Sequence, residues 1–147
     1  MKKLTILIGA LAALAAPAIA AADPIAARQA LMRNNAGASA LAGAVANGDL
    51  EYHPVVGRAA IAALSATAAN LGDLFPEGSG EGTTRAAPQI WEDWEGFTAM
   101  LGGFQEAVAD AREAAGPDGL PDAEAFAEAI QPALGYCGAC HTAYRTQ

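Results

Sequence analysis

Ile90-Trp91-Glu92-Asp93-Trp94-Glu95-Gly96-Phe97-Thr98-Ala99-Met100-Leu101-Gly102-Gly103-Phe104-Gln105-Glu106-Ala107-Val108-Ala109-Asp110-Ala111 carries the clearest periodicity in the chain. Ile90, Trp94, Phe97, Leu101, Phe104, Val108 and Ala111 stand in alternating steps of four and three. Such steps share one helix face, so the segment reads as a helix packing an apolar seam into a bundle. Gly116-Pro117-Asp118-Gly119 is a strong breaker and ends it. The flanking sequence supplies its partners. Asp23-Pro24 joins an N-cap candidate to proline at the first helical position, and that helix should run to about Asn47-Gly48. Ile25, Met32, Ser39 and Ala46 recur along it every seven residues, beside a row of Leu31, Ala38 and Val45. Small residues from Ala36 to Ala44 let another body approach closely: a helix, a flat ligand or a second subunit.

A second helix should begin near Pro54 and end about Leu71-Gly72, with Ile61, Leu64, Ala68 and Leu71 as its stripe. A Gly- and Pro-rich loop follows to about Pro88. A loop this long crosses the fold or covers a site, and Phe75 is its candidate anchor to the core. The last helix starts near Pro121-Asp122 and carries Phe126, Ile130, Cys137 and His141 on related faces. Pro132 falls inside it. Proline removes a hydrogen bond and clashes with the preceding turn, so a kink or restart is expected there. Few β-branched residues and no alternating pattern argue against strands. The fold class is therefore all-α: an antiparallel up-down-up-down four-helix bundle with a longer second link.

Cys137-Gly138-Ala139-Cys140-His141 has the C-x-x-C-H pattern of covalent haem attachment. Positions three and four apart share a helix face, so both sulfurs can form thioethers to one planar partner. His141 can then reach the iron from the same side. One turn thus supplies two anchors and an axial ligand. A thiol–disulfide pair would want a strand-to-helix junction, which is lacking. A zinc site would want a fourth ligand, and the other histidine, His53, reads as an end-of-loop residue before Pro54.

Lys2 and Lys3 precede an apolar run from Leu4 to Leu14. Pro17 then precedes Ala18-Ile19-Ala20 and Ala20-Ala21-Ala22, both of the A-x-A cleavage form. The run is short for a membrane span, which needs about 20 apolar residues. Residues 1–22 therefore read as a bacterial signal peptide cleaved after Ala20 or Ala22. The mature chain, 23–147, is expected to be periplasmic and free of the membrane: about 125 residues, one domain enclosing one haem. In it six arginines face sixteen acidic residues, a net of −10 against −8 for the full chain. That charge excludes nucleic acid and anionic lipid, which need clustered cations. A charged partner is expected to be basic, though acidity also serves plain solubility.

Four segments together resemble the class II c-type cytochromes, cytochrome c prime and its low-spin relatives. They are Arg28-Gln29-Ala30-Leu31-Met32, Phe75-Pro76-Glu77-Gly78-Ser79-Gly80, Arg85 through Pro88-Gln89-Ile90-Trp91, and Cys137 through Tyr144-Arg145. A haem motif at the C-terminal end is itself distinctive, because class I cytochromes c place theirs near the N-terminus. Cytochrome c prime is a type example of the up-down-up-down bundle, so naming the family already implies the architecture. The resemblance implies that Cys137 and Cys140 hold one haem c and that His141 is the proximal ligand. It places Arg145 beside that ligand, Arg28 and Gln29 against the propionates, and Phe75 in the loop beside the cofactor. The plainer alternatives are a solvated helix residue for Arg28 and a frayed terminus for Arg145. Pro132 departs from the family's last helix.

Met32 matches the first-helix position on the distal face of the haem. Its sulfur either binds iron, giving a low-spin Met/His centre suited to electron transfer, or packs over a five-coordinate iron. A plain core methionine is the third option. Ligation is favoured, because the small residues after Met32 should not hold helix and haem apart; Met100, off its helix's seam, is not favoured. Two functions follow: a one-electron carrier meeting redox partner proteins, or a binder of nitric oxide or another small gas. No dedicated catalysis is expected, since the distal face offers no histidine or arginine poised over iron. The small residues of the first helix also suit a homodimer.

Overall fold

Asp23 opens the first helix as the sequence predicts: its carboxylate accepts the Ile25 N–H at 2.9 Å and proline follows in the first turn. The computed structural model describes residues 23–147, so the signal-peptide reading of 1–22 lies outside the described residues. Helix α1 spans Pro24–Ala46. His53 caps α2, Pro54–Asn70, by accepting the Val55 N–H on Nδ1, which is the end-of-loop role expected of it. A 3-10 turn, Gly72–Leu74, begins the long link. Then come α3, Gln89–Glu92, and α4, Trp94–Ala115. Asp122 caps α5, Ala123–Tyr144, by accepting the Ala125 N–H at 2.9 Å.

Two expectations need correction. The seam from Ile90 to Ala111 is not one helix. Asp93 leaves helical space at φ −125° and ψ 59°, and its carboxylate caps α4 through the Gly96 N–H. The carboxylate leaves no room for a Cβ at Gly96. This break turns Trp94 outward, so it is 45 % exposed while the other six seam residues are buried. Of the kink or restart expected at Pro132, the restart does not occur, because α5 runs unbroken through it. Pro132 and Glu128, whose carbonyl loses its partner, are both exposed. Water can satisfy a solvent-facing carbonyl, so the local penalty is contained.

The four long helices close a ring: α1 packs on α2 and α5, and α4 packs on the same two. Ala38 and Ala42 of α1 turn into the core, and the small side chains let the backbones approach; Ala36, Gly37 and Ala40 stay exposed. The interior has two parts. One, around Val45, Leu64, Val108, Phe126 and Ile130, fills one end of the bundle. The other, around Leu71, Ile90, Phe97 and Tyr144, gathers Met32, Phe75, Met100 and Cys140. The link after α2 lies against this second part.

Candidate cofactor cavity

The last two turns of α5 carry Cys137, Cys140, His141 and Tyr144 into one cavity of about 570 Å³. This is within the range of about 300–1,000 Å³ usual for cofactor sites. Its opposing walls come from Met32, Asn35 and Ser39 of α1 and from Phe97, Met100 and Phe104 of α4. Phe75, Thr84 and Arg85 of the 72–88 link close another side, so that loop does cover a site.

The chemistry of the donors fits a covalently held haem. Cys137 and Cys140 are free and half-buried. Burial pushes both thiols above their ordinary pKa; beside Cys137 the Ser39 hydroxyl opposes the rise, whereas Cys137 adds to that of Cys140. A redox pair would want a stabilised thiolate, which this setting withholds. Partial burial, then the charges of Arg145 and Arg85, hold His141 below the usual imidazole pKa. The neutral ring this favours is the form that binds a metal. Asn35 Oδ1 is buried without a hydrogen bond, and Ser39 Oγ has only the Cys137 sulfur beside it. Buried polar atoms are nearly always partnered, so the α1 wall is shaped for a group or water within the cavity. Among the described residues no cluster of three or more His, Cys, Asp or Glu side chains could hold a bare metal ion.

The two α1 residues assigned to the propionates do something else as well. Arg28 is 4 % exposed. Its Nη1 donates to Leu74 O at 3.2 Å and Ser79 Oγ at 3.0 Å; its Nη2 donates to Thr84 Oγ1 at 2.7 Å and to Ser79 O. A guanidinium has five N–H donors, and four are engaged by the link. Gln29 Nε2 donates to Thr83 O at 2.8 Å. Both residues therefore clasp residues 74–84 to α1, although both also line the cavity. Phe75 is an anchor as expected: it meets Phe97 edge-on at 4.9 Å, with the Arg28 guanidinium 5.1 Å above its ring.

Arg145 is no frayed terminus. It pairs with Ala86 in an antiparallel bridge, flanked by Ala87 N–H donating to Tyr144 O and Thr146 N–H donating to Arg85 O. Tyr144 Oη donates to Asp93 Oδ2 at 2.9 Å and its ring meets Phe97 edge-on at 5.2 Å. The end of α5 is thus tied to both the link and the start of α4. Sequence reasoning passed over Asn35, Ser39, Arg33 and Tyr144 as lining residues. Tyr144 lies three residues after His141 and shares its helix face, so spacing alone pointed to it. Asn35 and Ser39 stand three and seven residues after Met32, on its helix face, so the same spacing pointed to them.

Comparison with known proteins agrees with this geometry. Residues 23–145 match the family described as Cytochrome C'. The chain is 32 % identical over 136 residues to cytochrome c-556 of Agrobacterium fabrum, covering 90 % of this chain and 87 % of that one. Cytochrome c' from Rhodopseudomonas palustris superposes with a TM-score of 0.76 at 28 % identity, over 85 % of this chain and 97 % of that one. Oxidised cytochrome c556 of R. palustris superposes at 0.70 and 27 % identity, again over 85 % and 97 %. With a cavity between the helices of an antiparallel bundle and two cysteines with a histidine on its last helix, the chain belongs to the cytochrome c' family and is a haem c protein.

Proposed function

We propose that the protein is a periplasmic one-electron carrier. In this reading haem c is bonded to Cys137 and Cys140, with His141 and Met32 as its axial ligands. The observation that carries it is the meeting of Met32, from α1, and His141, from α5, in one largely apolar cavity. Bound there, the haem supplies a one-electron couple, which methionine ligation moves to higher potential. The chain's own residues do the rest. Partial burial first, then Arg145 and Arg85, disfavour the imidazolium and so favour the ligating form of His141. Phe97, Leu101 and Phe104 present apolar walls that exclude water. Among the described residues no helix is long and apolar enough to cross a membrane, consistent with a partner met by diffusion.

Asn35 and Ser39 favour a second reading. Their oxygens lie on the Met32 wall, Asn35 Oδ1 without a partner and Ser39 Oγ beside only the Cys137 sulfur, where a small iron ligand would find polar contact. Met32 then packs over a five-coordinate iron that binds nitric oxide or another diatomic gas. The spectrum of the oxidised holoprotein separates the two. The carrier reading expects low-spin bands and a weak sulfur-to-iron band in the near-infrared. That band should vanish in Met32→Ala and survive in Met100→Ala, since Met100 also lines the cavity. High-spin bands in the parent protein would refute methionine ligation.

A further inference from the structure

The six arginines of residues 23–147 are unevenly placed. Arg28, Arg33, Arg85 and Arg145 line the haem cavity, and none of the sixteen acidic residues does. The other two are elsewhere: Arg58 donates to the Pro117 carbonyl, and Arg112 lies beside Glu113 in a groove between α2 and α4. Arg33, Arg85 and Arg145 are exposed. Among the described residues, guanidinium hydrogen bonds come from Arg28 and Arg58, which leaves the three at the cavity free to meet an incoming group. Arg28 is buried, with its terminal donors engaged by the link and Asp23 acting on its charge, so the two propionates a haem brings are set against the three exposed arginines and leave one positive charge. The mouth then keeps an excess of positive charge on a polypeptide whose net charge is −10 by the count of its six arginines and sixteen acids.

We propose that this rim docks the acidic face of a redox partner protein, opposite in sign to what the whole molecule's charge suggests. The proposal rests on the carrier reading above and adds where the partner binds and with what charge. The physical reason is range. At physiological ionic strength the Debye length is about 8 Å. A partner touching the mouth feels the rim arginines in full, whereas acidic groups farther than that are screened. Total charge governs distant approach at low salt; the rim governs contact and orientation. A partner with carboxylates around its own redox centre would pair with Arg33, Arg85 and Arg145 and bring the two centres close. A basic partner would instead be held on the acidic flanks, away from the haem.

The test uses the haem-loaded protein and redox-inert paramagnetic probes, hexacyanochromate(III) as anion and hexaamminechromium(III) as cation. Amide NMR signals of Arg33 and Thr84–Ala86 should broaden with the anion, while the cation broadens signals elsewhere. Arg33→Gln should weaken the anion effect several-fold, with the visible spectrum unchanged as proof of folding. Arg112→Gln, remote from the cavity, should not. Poly-L-glutamate should displace the anion, showing that an acidic polypeptide takes the same place. Broadening of the mouth by the cation, an equal loss in Arg112→Gln, or no displacement by polyglutamate would each overturn the proposal. A protein isolated without haem would overturn the carrier reading instead, and its lack of colour shows that before any titration.

Discussion

Replacing Arg28 by alanine tests the clasp between α1 and the link. The side chain is 4 % exposed and its two terminal nitrogens donate four hydrogen bonds, to Leu74 O, Ser79 O, Ser79 Oγ and Thr84 Oγ1. Burial pulls its pKa down and Asp23 opposes the shift. The hydroxyls keep other partners, since Ser79 Oγ donates to Pro76 O and Thr84 Oγ1 accepts the Ala86 N–H. The two carbonyls lose Arg28 and gain nothing. An orphaned buried acceptor costs about 1–3 kcal/mol, so Arg28→Ala should destabilise the holoprotein by about 2–4 kcal/mol after some water entry. Local opening of residues 74–84 should rise correspondingly, by roughly thirtyfold to several hundredfold in amide exchange (1.4 kcal/mol per decade). Arg28→Lys should recover part of this, because an ammonium is a point donor without the planar fork. The assay is native-state hydrogen exchange read residue by residue, beside the haem reduction potential. Unchanged exchange over 74–84 together with a shifted potential would refute the clasp and return Arg28 to the propionates alone.

Three further outcomes are expected. Gly57→Ala should lower stability by about 1–3 kcal/mol through overpacking, since its Cβ would meet Tyr52 Cε2 at 2.8 Å and Phe126 at 3.1 and 3.2 Å; the visible spectrum, read from the far end of the bundle, should not move. Tyr144 holds its proton to higher pH in the fold, through burial first and the Asp93 hydrogen bond and charge next. The unfolded chain therefore releases that proton first, so stability is full below the phenol's ordinary value near 10 and declines as pH rises through it; alkaline denaturation of Tyr144→Phe should lack this decline. Pro132→Ala should raise the melting temperature, gaining about 1–3 kcal/mol, because proline is disfavoured inside a helix by about 3 kcal/mol and its stiffening of the unfolded chain returns up to about 1 kcal/mol. A fall in stability would mean that the proline's geometry serves the haem motif.

What the sequence disclosed divides by the kind of interaction involved. Helix starts were legible because caps are local: Asp23, His53 and Asp122 each act on an N–H two or three residues on. The seam was legible wherever burial set the period, and Phe97, Leu101, Phe104, Val108 and Ala111 are all buried. It failed at Trp94 because a competing local signal, Asp93 capping Gly96, outweighed the apolar period. The same capping chemistry that was used correctly at residue 23 was there to be read at residue 93.

The site's polar frame was hidden for a different reason. A buried arginine or asparagine on an alanine-rich helix looks like a solvated residue unless the chain that will face it is known. Arg28 turns inward because carbonyls and hydroxyls at 74, 79 and 84 converge on it, from 46 to 56 residues away in sequence. No periodicity encodes that meeting. The same holds for charge. A net of −8 is a sum over positions, and the sum says nothing about where four of the six arginines gather. Motif spacing pointed to Cys137 and Cys140 as the candidate anchors of the cofactor, because thioether attachment needs one helical turn, and both line the cavity. The surroundings that hold the link, favour the neutral histidine and set the sign of the mouth are built from pairings across the bundle, and those became visible when the helices were brought together.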